Sequence, residues 1–130
     1  MSELVGIVLV SHSPEIAAGL RRLLEQIGSD AVPVAVAGGT DDGRIGTSYD
    51  RVTAAVEEAD RGAGVLILPD LGSSVLTART VLADRPRAGV VIADAPFVEG
   101  AVAAAVTAAS GADLAAVLTA AQEARDVRKF

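Results

Sequence analysis

A chain of 130 residues, 51% apolar and with a net charge of −6, is large enough to bury one hydrophobic core and too acidic to be read as a nucleic-acid binder, which needs clustered cations. Because it has no cysteine, disulfide frameworks, thiolate metal sites and sulfur redox chemistry are excluded. Aromatics make up only 2% of the chain; its bulk is Ala, Val, Leu and Ile, which suits thin helices packed closely on a buried sheet.

The opening Met-Ser-Glu passes into an apolar run, Leu4 to Val10, without the basic leader or small-residue cleavage site of a signal peptide, so a cytoplasmic protein is expected. That run and three others rich in β-branched residues, Val32 to Ala37, Gly64 to Leu68 and Gly89 to Ala93, predict buried parallel strands. Between the first two, Ile16, Leu20, Leu23, Leu24 and Ile27 share one face of a predicted helix of about three turns. Tyr49, Val52 and Val56 mark a second helix, and Val75, Ala78 and Leu82 a third. After the fourth strand, Ala95-Pro96 opens an Ala-rich helix to about Ser110, Gly111 breaks it, and Leu114, Val117, Leu118 and Ala121 mark a last amphipathic helix. No repeat, linker or charge block divides the chain, so residues 1–130 are expected to form a single domain. The fold class predicted is α/β, an open parallel sheet of order 2-1-3-4 flanked by helices. No apolar stretch reaches the roughly 20 residues of a membrane span.

In such sheets, ligands sit beyond the carboxyl ends of the strands. Those ends read Ser11-His12-Ser13-Pro14, then Gly38-Gly39-Thr40-Asp41-Asp42-Gly43, then Pro69-Asp70-Leu71-Gly72-Ser73-Ser74, and finally Asp94-Ala95-Pro96. His12, the only histidine, follows the first strand and precedes a helix start signalled by Ser13 and Pro14. A neutral imidazole is nucleophilic near neutral pH and can accept and surrender a phosphoryl group without a costly deprotonation. With strand order 2-1-3-4, Asp70 falls beside His12, where a carboxylate would fix the tautomer, free the other nitrogen for attack and offset the charge of a phosphorylated ring. The alternative for Asp70 is a helix-capping residue in a turn. Phosphate oxygens would be cradled by Ser13, Gly39, Thr40, Gly72, Ser73 and Ser74, residue types that also serve as ordinary caps and turns after a strand. Asp41, Asp42 and Arg44 read as loop-shaping or partner-contact groups, because carboxylates repel a transferring phosphoryl.

Other chemistries lack their parts. The glycines of the second loop are not followed by Lys-Ser or Lys-Thr, and no GxGxxG turn follows the first strand, so nucleotide binding of the usual kinds is not expected. A receiver domain would need acidic residues after the first strand and a lysine near the last. One histidine and scattered aspartates predict no metal site.

These rim segments together resemble the mannose-type enzyme IIA family, most closely the phosphotransfer subunits of dihydroxyacetone kinase. The resemblance spans nearly the whole chain. It rests on Val10-Ser11-His12-Ser13, on Ala37-Gly38-Gly39-Thr40 with Gly43 and Gly46-Thr47-Ser48, on Asp70-Leu71-Gly72-Ser73, and on Ala95-Pro96-Phe97-Val98-Glu99-Gly100-Ala101. It implies that His12 takes phosphate from the phosphocarrier HPr and passes it to ADP held by the kinase's nucleotide-binding subunit, with Asp70 as its partner. No cofactor would be bound by this chain, ADP and ATP belonging to the partner subunit, and homodimers are usual for the fold. Some members run on into HPr-like and enzyme I-like domains; with the sequence ending at Phe130, a separate donor protein is expected. The alternatives are a sugar-transport enzyme IIA that serves an enzyme IIB domain, and a regulatory module whose rim binds a small anion without phosphorylation.

Overall fold

A computed structural model describes residues 3–130. The four β-branched runs form β1 (Gly6–Ser11), β2 (Val34–Gly38), β3 (Val65–Pro69) and β4 (Val90–Ile92), paired in parallel in the order β2-β1-β3-β4. This is the predicted order. Alternation along the strands divides two cores. Ile7, Leu9, Leu66 and Leu68 face one side of the sheet, and Val8, Val10, Ile67 and Val65 face the other. Helices α1 (Pro14–Ile27), α4 (Phe97–Ala109) and α5 (Leu114–Glu123) cover the first face, while α2 (Tyr49–Ala59) and α3 (Gly72–Asp84) cover the second. A short 3₁₀ turn, Ala124–Asp126, follows α5. No helix among the described residues is long and apolar enough to cross a membrane.

Two sequence readings are corrected. β1 begins two residues later than the apolar run and extends through Ser11, because its hydrogen-bonded register runs from Gly6 to Ser11 against its two neighbours. On α1, the face against the sheet is Ala17, Leu20 and Leu24, whereas Ile16, Leu23 and Ile27 are exposed. The small side chain of Ala17 faces Gly38, where an added Cβ would lie 3.1 Å from Ala17 Cβ and 2.7 Å from Pro14 Cα. Close approach at that point turns the helix so that the larger flank faces outward.

Ala-rich composition has the same effect in the tail. α4 buries Gly100, Ala101, Ala104, Ala105 and Ala108, a stripe small enough for α5 to lie directly against it through Val117 and Ala121.

Candidate active site

The register brings the chemistry together. Val10 is paired with both Ala37 and Pro69, so β1, β2 and β3 end level with one another. The Asp70 amide donates to the Val10 carbonyl (2.9 Å), extending the β1–β3 ladder one step past the strand and setting Asp70 beside His12. His12 Nδ1 lies 2.9 Å from Asp70 Oδ1, and the His12 amide donates to Oδ2 at 3.1 Å. The two side chains are 21% and 11% exposed, at the lip of the fold and not within it.

The carboxylate has three further donors. Ser11 Oγ donates to Oδ2 at 2.8 Å, Ser74 Oγ to Oδ1 at 2.7 Å, and the Leu71 amide to Oδ1 at 2.6 Å. Burial alone would raise the Asp70 pKa. Hydrogen bonds from Ser74, His12, Ser11 and the Leu71 amide outweigh that penalty and lower it to about 2. At neutral pH the group is therefore an anion that accepts protons in hydrogen bonds without taking them up.

The other ring nitrogen faces outward. His12 Nε2 is hydrogen-bonded to the hydroxyl of Ser73, which is exposed, and Ser73 Oγ is 3.0 Å from Thr47 Oγ1. In the neutral ring, a proton on Nδ1 directed at Asp70 leaves Nε2 bare to accept from Ser73, whose oxygen would in turn accept from Thr47. Gly72 and Ser73 occupy the first turn of α3, where a helix supplies no acceptor for its own amides and an anion is favoured.

The predicted phosphate-binding set thus separates. Ser73 stands at the outward nitrogen, with Gly72 before it as the first residue of α3. Ser74, one residue on, is fully buried, and its proton is committed to Asp70 instead of an incoming phosphate. Ser13 Oγ caps α1 by accepting from the Ile16 amide (3.2 Å) and also donates to Glu15. Thr40 is turned into its own loop, with its hydroxyl bonded to Asp42 and accepting from the Arg44 amide at 3.1 Å. The Gly39 amide is already given to the Ser11 carbonyl at 3.0 Å. Gly39 has φ +74°, and a Cβ there would lie 2.7 Å from the Arg44 carbonyl oxygen, so its role is to fold the loop. Arg51 steadies the same loop through the Gly38 and Asp41 carbonyls, and Asp41 bonds to Ser48, the N-cap of α2. Asp41, Asp42 and Arg44 are accordingly loop-shaping residues.

Two contributors escaped the sequence reading as site residues. Thr47 arrives because the loop after β2 doubles back, with Gly39 bridged to Thr47 and the Gly46 amide donating to the His12 carbonyl at 3.0 Å. No local signal marks it. Ser11 did carry a signal: a hydroxyl closing a wholly buried strand needs a partner, and strand order places Asp70 there. Among the described residues, no group of three or more His, Asp or Glu side chains could hold a metal ion.

Residues 6–118 match the family model described as the PTS system fructose IIA component, EIIA-man. The chain is 40% identical over 107 residues to PEP-dependent dihydroxyacetone kinase 1, phosphoryl donor subunit DhaM, of Listeria innocua, covering 81% of this chain and 82% of that protein. It is 38% identical over 112 residues to the PTS-dependent dihydroxyacetone kinase, phosphotransferase subunit DhaM, of Lactococcus lactis, covering 86% and 89%. Against the phosphoryl donor subunit DhaM of Escherichia coli, identity is 39% over 132 aligned positions; 97% of this chain is covered, but it spans only 28% of that longer protein. Among solved structures, the crystal structure of the unknown function protein EF1359 superposes with a TM-score of 0.83 at 34% identity, covering 92% of this chain and 94% of the other.

Proposed function

The chain belongs to the mannose-type enzyme IIA family and, within it, to the DhaM subunits of dihydroxyacetone kinase, and on that premise we propose that His12 carries a phosphoryl group from the phosphotransferase system to the kinase. The observation that carries the reading is the asymmetry of the imidazole: Nδ1 faces an ionised carboxylate and Nε2 faces the rim.

In the first step the Nε2 lone pair attacks phosphorus on the phosphohistidine of HPr. The new N–P bond forms as the donor's breaks, and the donor ring recovers its electron pair. The proton on Nδ1 stays in place, so the phosphorylated ring is cationic and Asp70 stabilises that charge at close range. Ser73 must leave Nε2 to admit phosphorus, after which its hydroxyl and the first amides of α3 can donate to the phosphoryl oxygens. In the second step an oxygen of the ADP β-phosphate, held by the kinase's nucleotide-binding subunit, attacks the same phosphorus. ATP forms and Nε2 regains its lone pair. In this proposal the chain itself binds no nucleotide, works in the cytoplasm, and forms the homodimer usual for the fold.

The test is to mix the chain with enzyme I, HPr and phosphoenolpyruvate, then chase with ADP-loaded kinase subunit. One acid-labile phosphoryl group per chain, discharged as ATP appears, is expected. An acid-stable label or none would overturn the proposal, and discharge to an enzyme IIB domain but not to ADP would reassign the acceptor to sugar transport.

A further inference from the structure

We infer that Ser11 and Ser74 are positioning residues that clamp the Asp70 carboxylate and so hold His12 in the one tautomer that leaves Nε2 bare; the inference rests on His12 being the nucleophile proposed above. Both serines are 0% exposed. A buried hydroxyl is costly unless partnered, and each of these gives its proton to a different oxygen of the same carboxylate: Ser11 to Oδ2 and Ser74 to Oδ1. Two donors from different elements, the end of β1 and the first turn of α3, fix the plane of the carboxylate and not merely its position.

The polarity of the network then follows by elimination. Ser74 Oγ lies 3.2 Å from His12 Nδ1, and with its proton on Asp70 it can face that nitrogen only as an acceptor. Asp70 Oδ1, at 2.9 Å from the same nitrogen, is also only an acceptor. A bare Nδ1 would face two lone pairs, so the proton is held there and Nε2 is left free. Ser11 acts through the carboxylate and the main chain. Its oxygen accepts from the Ser13 amide at 3.1 Å, while the His12 amide is held by Asp70 Oδ2, so the main chain on either side of the imidazole is tied to the clamp.

The experiment uses the full chain with Ser11→Ala, with Ser74→Ala and with both. Imidazole ¹⁵N shifts of the unphosphorylated protein read the tautomer, and steady-state phosphorylation by phospho-HPr reads kcat and KM. The wild-type chain is expected to hold a single Nδ1–H tautomer, and the variants a mixture. Each lost hydroxyl should lower kcat about tenfold, the equivalent of one net hydrogen bond, with KM for HPr unchanged. A wild-type tautomer and kcat in folded variants would overturn the clamp. Should Ser11→Ala not fold, Ser74→Ala decides alone, because alanine favours the helix it sits in. The tautomer needs no phosphate donor. A shifted tautomer in a chain that never takes phosphate would support the clamp while removing the carrier function; normal labelling with one tautomer in every variant would do the reverse.

Discussion

Replacing Asp70 with Asn exchanges one oxygen for an NH₂ group and removes one charge, in a place where five donors converge on the carboxylate. Whichever way the amide turns, its own donors meet other donors. In the folded chain the carboxyl is held at about 2, against 3.8 for its ordinary value. At about 1.36 kcal/mol per unit, ionised Asp70 contributes roughly 2 kcal/mol of stability at neutral pH. Because the folded pKa is the lower one, that contribution is complete above the unfolded value and fades as pH falls from about 4 to about 2. Urea unfolding at a series of pH values should therefore show wild type ahead of Asp70→Asn at neutral pH and the gap closing over that acid window. Transfer should also slow by roughly ten- to a hundredfold, the worth of a charge-assisted hydrogen bond to the phosphorylated ring, measured as label acceptance from phospho-HPr. Residual labelling should persist, since the nitrogen nucleophile remains. A stability gap that ignores pH, or transfer at the wild-type rate, would refute the reasoning.

His12→Gln should abolish acid-labile labelling, and its thermal unfolding should stay close to wild type, because a partly exposed rim residue adds little packing. Ser73→Ala should slow phosphorylation by less than tenfold, as backbone amides share the phosphate, while Thr40→Ala should leave the rate unchanged and act only on the loop; paired rate measurements compare them. Gly38→Ala should both destabilise the chain, by about 1–3 kcal/mol of overpacking, and lower activity, because the new methyl group would press on the Ser13–Pro14 backbone that carries His12. Chemical denaturation alongside a transfer assay separates the two effects.

The pairing of His12 with Asp70 was legible because it depends on strand order, and four β-branched runs with alternating helices leave few orders to choose from. The fate of the neighbouring hydroxyls was not. Ser73 and Ser74 are adjacent in sequence, but one step around a helix is about 100°, enough to send one to the rim and the other beneath it. Thr40 and Thr47 belong to one loop, and which of them reaches the histidine is decided by long-range hydrogen bonds from Gly39 and Gly46 that no short pattern encodes. On α1, hydrophobic spacing identified a helix but not its seat: Ile16 and Ile27 fit the period as well as Leu20 and Leu24, and the seat was settled by Ala17, a small residue outside the predicted stripe that packs closely against Gly38 of β2.

His12 and Asp70 extend the innermost pair of strands, and their spacing is set by the same ladder that closes the sheet. Breathing of α4 and α5, or fraying of the short edge strand, would leave that spacing intact. Amide exchange around Val10 and Asp70 should accordingly match the slowest in the molecule. Competence to carry phosphate would then be lost in a single step with global unfolding, so that in a damaged or heated sample the chargeable fraction counts native molecules.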